Sequence, residues 1–231
     1  MIVAYGEDPA QIIEVSPGRD ASRRPLVIII HGGFWRPDID RVHARPMAEA
    51  IATAGWTVAL PEYSRVPQNP SPTLHDLALI LTDALQRVPT HNGRVVLVGH
   101  SAGGHLVLWA AAARLCPVLS GTLALAPVAD LLLAHELGLG NGAVSRFLGG
   151  DPVSRPDIDP RQIAAPDTAT TIVHGVDDDT VPLGVSESYV AAHPQVRLVR
   201  IAGAGHYALI DPLAPAWPTV MTELAALAMP R

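Results

Sequence analysis

Residues 95–113, VVLVGHSAGGHLVLWAAAA, restrict what this chain can fold into more than any other stretch. VVLV reads as a short strand buried on both faces, residues 99–103 as a turn of small residues, and the run that follows as an apolar helix. A serine held at a sharp bend between strand and helix needs small residues two positions to either side, because a side chain there would strike the strand or the packed helix. Gly99 and Gly103 meet that need around Ser101. Five residues recur by chance, so the weight of the pattern depends on what the other strands carry.

Those strands repeat the arrangement. Residues 11–15 read as an early strand, and the unbroken β-branched run Leu26–Ile30 empties directly into His31, Gly32, Gly33, Phe34 and Trp35. Residues 57–60, 121–126, 170–173 and 196–201 are further strands; the third opens into HGVDDDTVP and the fourth into AGAGHYALIDP. Helical spacing occupies the intervals: 40–54 (Val42, Met47, Ala50, Ile51 and Ala54, stopped by Gly55), a helix capped by Thr73 with the stripe Leu74, Leu77, Leu81 and Leu85, then 186–192 and 213–229. Asp76, three positions after Thr73, reads as a first-turn helix charge.

Strands alternating with helices predict an α/β fold, a mostly parallel central sheet with helices on both faces. Right-handed crossovers put the glycine-marked loops along one sheet edge, where open α/β sheets bind ligands. Residues 135–166 break the rhythm with several Gly and Pro, and read as a small cap insertion over that edge that selects substrate. The length fits a single domain over 1–231.

Composition narrows the class. A hydrophobic fraction of 48% and a charged fraction of 16% exclude a disordered chain, and a net charge of −6 without a basic cluster gives nucleic acid nothing to bind. All sixteen basic residues are arginine. The single cysteine, Cys116, cannot close an intramolecular disulfide, the first residues lack the basic-then-apolar order of a secretion signal, and the longest apolar run, residues 106–113, is too short for a bilayer. A cytoplasmic protein without membrane partners is expected; the oligomeric state is left open.

A serine hydroxyl is a poor nucleophile at neutral pH and needs an imidazole, oriented by a carboxylate, to take its proton. His206 sits in a glycine-rich loop after the final strand and follows the acidic loop in sequence, giving the chain order serine, acid, histidine. For the acid, Asp177, Asp178 and Asp179 are adjacent and the residues alone do not choose among them. They lack the alternating ligand spacing of a calcium loop, and with no lysine in the chain the glycine turns cannot be a Walker-type phosphate cradle, so no metal or cofactor is expected. An oxyanion needs amide donors: Ala102, next to the serine, offers one and the His31-Gly32-Gly33 turn another, with His31 bracing that turn. Trp35 and Tyr207, beside these loops, are candidate substrate-pocket walls.

Taken together, HGGFWR (31–36), EYSRV (62–66), GHSAGG (99–104), HGVDDDTVP (174–182) and GAGH (203–206) resemble the α/β-hydrolase superfamily, among its small esterase/lipase-type members, a group that includes kynurenine-formamidase-like enzymes and carboxylesterases. The resemblance implies an α/β-hydrolase fold and a triad. The family's acid pattern H-G-x-x-D-x-x-V-P, laid on 174–182, implies Asp178 as the acid, and Gly33, Phe34 and Ala102 are implied as oxyanion donors. The chain departs from hormone-sensitive-lipase-like members at Phe34, where they carry a third glycine, and at His100, where they carry Asp; formamidase-like members carry Tyr at the position of Phe34. The expected activity is hydrolysis of a small carboxylic ester or aryl amide through an acyl-enzyme on Ser101, with arylformamidase or peptidase activity as alternatives. A ligand-binding receptor on the same fold is the alternative outside enzymes.

Overall fold

The β-branched runs form the middle of one eight-stranded sheet. The computed structural model describes residues 1–88 and 90–228, with the side chains of 83–85 outside that set. Leu85 of the expected stripe and Met229 of the expected last helix therefore lie outside the described residues. In chain order the strands are β1 (Ile2–Ala4), β2 (Ile12–Ser16), β3 (Leu26–Ile30), β4 (Val58–Pro61), β5 (Val95–His100), β6 (Leu119–Leu125), β7 (Ala169–Gly175) and β8 (Arg197–Ile201). The helices are α1 (Arg45–Thr53), α2 (Ser71–Arg87), α3 (Ala102–Ala112), α4 (Leu131–Glu136), α5 (Leu139–Leu148), α6 (Leu183–Ala192) and α7 (Trp217–Ala228).

The strand order is β1-β2-β4-β3-β5-β6-β7-β8, parallel from β4 through β8, with β1 and β2 antiparallel at one edge. Alternate residues of each central strand enter opposite cores. Leu26, Ile28 and Ile30 pack with Leu77, Leu81, Leu106 and Val185 under α2, α3 and α6. Val27 and Ile29 pack with Met47, Ile51, Val220 and Leu224 under α1 and α7. All five β3 side chains are fully buried, each contributing about 1.5–3 kcal/mol of transfer free energy. This is the mostly parallel, helix-flanked sheet that the alternating pattern predicts and the α/β-hydrolase arrangement that the resemblance implies.

Local departures have local reasons. β5 extends past its apolar run to His100 because Gly99 and His100 keep pairing with Ala124 and Leu125 of β6. The helix expected over 40–54 is a 3-10 turn, Arg41–Ala44, capped by Asp40 and followed by α1, with Pro46 at the junction. Thr73 does not cap α2; it lies inside the helix and its hydroxyl donates to the Ser64 carbonyl. Asp76 is not in the first turn of α2, which starts at Ser71; it is buried and accepts from Gln11 Nε2 and the Ser64 amide. β1 adds a strand whose short apolar stretch predicts nothing, docked against β2.

Between β6 and β7 the insertion carries α4, α5 and a 3-10 turn, Pro152–Ser154. It is fastened to α3 on its return, where His105 Nε2–H donates to the Ile158 carbonyl and Trp109 Nε1–H to that of Asp157. Among the described residues no helix is long and apolar enough to cross a membrane.

Candidate active site

The bend between β5 and α3 places Ser101 at φ 57°, ψ −118°, a conformation that costs a non-glycine residue about 1–3 kcal/mol. Its surroundings hold it there. A Cβ on Gly99 would lie 2.3 Å from the Gly103 carbonyl oxygen, and one on Gly103 would lie 2.0 Å from that of Ile30, so only hydrogen fits at either position. The Ser101 amide donates to Leu125 O, and its carbonyl accepts from the amides of His105 and Val128. The hydroxyl makes no helix-capping bond and faces an open cleft.

The same cleft receives His206, which is buried in a 3-10 turn after β8. Its Nδ1–H donates to Asp178 Oδ2 at 2.7 Å, and among the described residues Nε2 makes no hydrogen bond. Asp178 is buried beyond the end of β7, while Asp177 and Asp179 are exposed. Of the three aspartates, Asp178 is therefore the one brought to the histidine. Its Oδ1 accepts from the amides of Thr180 (2.9 Å) and Val181 (2.8 Å). Burial alone would raise this carboxyl, but hydrogen bonds from His174 and His206, with the Val181 amide, hold it well below the usual carboxylate range.

Two further histidines set this pair. His174 is fully buried; its Nε2 lies 2.8 Å from the Val181 carbonyl, which only accepts, so Nε2 carries the proton, and Nδ1 lies 2.7 Å from the Ser186 hydroxyl. The same Nε2–H is 3.4 Å from Asp178 Oδ2. His100, beside the serine, donates from Nε2 to the His206 carbonyl at 3.1 Å and packs its ring 4.5 Å from that of His206. Burial pushes the His100 imidazole down to about 3, reinforced by His206, so it stays neutral. His174 lies four positions from Asp178 at the head of the motif 174–182, whereas the bond of His100 to His206 spans 106 positions and leaves no local pattern.

Opposite Ser101, the loop after β3 makes a tight turn in which the Arg36 amide donates to Gly33 O at 3.0 Å. Both central residues, Phe34 (φ 50°) and Trp35 (φ 54°), are left-handed, a mirror-image turn that usually employs Gly or Asn. Among the described residues the amides of Gly33, Phe34 and Ala102 donate to no protein acceptor. The turn is braced from EYSRV. His31, fully buried, lies between Gly32 O (2.8 Å from Nδ1) and Glu62 Oε1 (3.0 Å from Nε2). The Tyr63 hydroxyl donates to His31 O, and Arg65 donates to the Arg36 carbonyl and to Glu62. Glu62 also accepts from the Arg41 amide. Burial opposes its ionisation, but bonds from His31 and Arg65 hold Glu62 far below the usual carboxylate range.

The cleft encloses about 580 Å³. Its apolar lining comes from Phe34, Ile39, Pro46, Tyr207 and Ile210, and its charged lining from Arg36 and Asp211. Two expectations change here. Trp35 does not line the cleft; it is buried, stacked on Phe147 of α5 at 4.6 Å and edge-on to His105, because the left-handed turn directs it into the core. Residues 135–166 contribute none of the lining; they meet the residues that do through Gly140, packed against Phe34 with its carbonyl accepting from Arg36, and they support the turn from behind through Phe147 on Trp35. Tyr207, also read as a wall, does line the cleft. Among the described residues no group of three or more His, Cys, Asp or Glu is placed to hold a metal ion. A serine, a carboxylate-bound imidazole and unpaired amides around one cleft are the components of acyl transfer.

A family model described as alpha/beta hydrolase fold matches residues 27–144. Among curated proteins the chain is similar to Esterase LipC of Mycobacterium tuberculosis, 28% identical over 110 residues, covering 45% of this chain and 27% of that one. It is similar to Kynurenine formamidase of Danio rerio, 29% identical over 113 residues, covering 46% and 36%. A probable isoprenylcysteine alpha-carbonyl methylesterase of Oryza sativa is 24% identical over 251 residues, covering 91% and 59%. The chain thus spans between 27% and 59% of the length of these relatives. Among solved structures, esterase B from Lactobacillus rhamnosis superposes with a TM-score of 0.79 at 20% identity, covering 97% of this chain and 83% of that one. Apo esterase 2 of Thermogutta terrifontis gives 0.74 at 20%, covering 100% and 96%. At such identities these structures share the fold.

Proposed function

This chain belongs to the α/β-hydrolase fold family, and from that premise we propose that it is a serine hydrolase of carboxylesterase type. The observation that carries the proposal is the strained Ser101 facing the same cleft as a histidine whose other nitrogen is bonded to buried Asp178. In the proposed reaction His206 Nε2 takes the Ser101 hydroxyl proton as Oγ attacks the substrate carbonyl. The tetrahedral oxyanion is held by the amides of Gly33, Phe34 and Ala102, each donor contributing about 3 kcal/mol to the transition state. His206 then protonates the leaving group and the acyl-enzyme forms. Water, activated by the same imidazole, returns the serine. Asp178 stays ionised throughout and stabilises the imidazolium.

The apolar walls and the cleft volume suit a small acyl ester. That agrees with the esterases among the relatives, and the likeness to a kynurenine formamidase makes aryl formamides the second class to test. We take residues 1–231 as one α/β-hydrolase domain with 135–166 as its small cap insertion.

Treatment with a fluorophosphonate and intact mass measurement tests the serine. One adduct is expected in the wild type and none in Ser101→Ala; a wild type left unmodified at high reagent would point to a binding protein and reject the proposal. A panel of short- and medium-chain nitrophenyl esters, aryl formamides and peptidyl anilides compared by kcat/KM then tests the substrate class. Short esters are expected to lead, and a formamide or anilide in first place would displace the carboxylesterase assignment.

A further inference from the structure

Beside the catalytic cleft two positive charges stand together without an opposite. The Gly140 carbonyl oxygen accepts from Arg36 Nη2 at 3.2 Å and from Arg146 Nη2 at 2.6 Å, and Arg146 also donates to Asn141 O. Two guanidinium nitrogens on one oxygen are no more than roughly 6 Å apart, a separation at which like charges repel. Among the described residues no carboxylate lies within 4.0 Å of either group. By contrast, Arg41, Arg45 and Arg65, on or near the same loop, each face Glu14 or Glu62. Asp211, the one carboxylate in the cleft lining, is also outside that distance.

The backbones of both residues are anchored. The Arg36 amide closes the Gly33 turn and its carbonyl accepts from Arg65 Nε, while the Arg146 carbonyl accepts from the Gln68 amide at 2.6 Å. Arg36 lines the cleft alongside Ser101; Arg146 is exposed on α5, at the outer end of the pair. Two planar guanidinium groups gathered on one carbonyl without a counter-ion, one of them in the wall of a reaction cleft, offer the kind of donors that bind a carboxylate.

We propose that Arg36 and Arg146 form an anion-binding subsite at the edge of the cleft, and that the substrate is an ester bearing a carboxylate which occupies it while the scissile carbonyl sits at Ser101. This rests on the serine-hydrolase reading above. It gives the insertion a direct part in selectivity, since α5 supplies Arg146 and the carbonyl that gathers the pair.

The test uses two matched pairs of esters. p-Nitrophenyl butyrate and p-nitrophenyl hemisuccinate differ by a carboxylate on the acyl chain; phenyl acetate and 4-carboxyphenyl acetate differ by one on the alcohol side. In at least one pair the wild type is expected to favour the charged member by about tenfold in kcat/KM, mostly through KM, with the preference shrinking as salt is added. The charged-to-neutral ratio is expected to fall about tenfold in R36Q and in R146Q and to recover only in part in R36K and R146K, which keep the charge but lose the planar fork. A wild-type ratio of one or less in both pairs overturns the proposal. So does a ratio unmoved in both glutamine variants, which would make the arginines mere ties for Gly140. Acceleration of a neutral ester by inorganic phosphate or succinate would reveal a separate effector site and overturn the substrate assignment. Phosphonate labelling of Ser101 is measured first, so that failure of the hydrolase reading is seen separately. If no label forms, calorimetric titration with succinate tests the subsite alone: binding that weakens in R36Q supports it, and no binding to the wild type overturns it.

Discussion

Asp177, Asp178 and Asp179 differ by one position each and by everything that surrounds them. One carboxylate is buried, bonded to two amides and set 2.7 Å from an imidazole nitrogen; its neighbours point to water. In the proposed reaction Asp178→Asn leaves the geometry largely intact but favours the wrong imidazole tautomer. The acylation rate, read by stopped-flow phosphonylation or ester burst, is expected to fall by about four orders of magnitude. Asp177→Asn and Asp179→Asn are expected to stay within the wild-type order of magnitude. Comparable losses in all three would show that the loop acts through its charge and not through one bond.

The turn over 33–36 cannot keep its shape alone, because two aromatic residues sit in left-handed backbone. The stack of Trp35 on Phe147 ties this turn to α5, an element more than a hundred residues later in the chain. Phe147→Ala removes one plate of the stack and is expected to cost about 3–5 kcal/mol in urea unfolding, as for other buried phenylalanines. It is also expected to lower kcat for a short ester, because Phe34, whose amide is a proposed oxyanion donor, loses its support; Phe147→Leu should recover part of both. Full activity in a destabilised Phe147→Ala would separate the insertion from the turn. The motif HGGFWR is plain in the sequence, and so is EYSRV, yet that the second motif braces the first follows from β3 and β4 lying side by side. The insertion was legible only as a break in rhythm. Its contact with the site runs through Gly140, Phe147 and Arg146, which carry no periodic signal.

Across the molecule, several buried titrating groups shift in a direction that favours neutral pH. Burial pushes His100 down to about 3 and His105 to about 4, and hydrogen bonds hold Glu62 and Asp178 below the usual carboxylate range despite their burial. Each folded value lies below its unfolded counterpart, so the unfolded chain binds more protons and acid destabilises. The histidine contribution is complete above the unfolded value of about 6.5 and is lost as pH falls toward the folded values; the carboxylate contribution is complete above about 4 and is lost below that. Unfolding by urea at a series of pH values is expected to show stability falling from about pH 6.5 downward and more steeply below about 4. In His105→Gln the first of these slopes should be shallower. A stability unchanged between pH 7 and 5 would contradict the burial of these imidazoles.

The sequence by itself determined the sheet, because unbroken β-branched runs such as Leu26–Ile30 are stable only when buried on both faces, and alternation with helices makes such strands parallel. It also determined the elbow, since at Gly99 and Gly103 the backbone of Gly103 and of Ile30 leaves no room for a side chain. Tertiary structure decided that Trp35 faces the core, that EYSRV braces the turn over 33–36, and that Arg36 and Arg146 share one carbonyl; of the three aspartates it brings to His206 the one that the resemblance implies. The division has one physical cause. Steric and hydrophobic demands act on each strand and turn and leave a local pattern of residues. Hydrogen bonds and charge pairs join groups that only the closed sheet brings within 3 Å or so, and no local pattern records them.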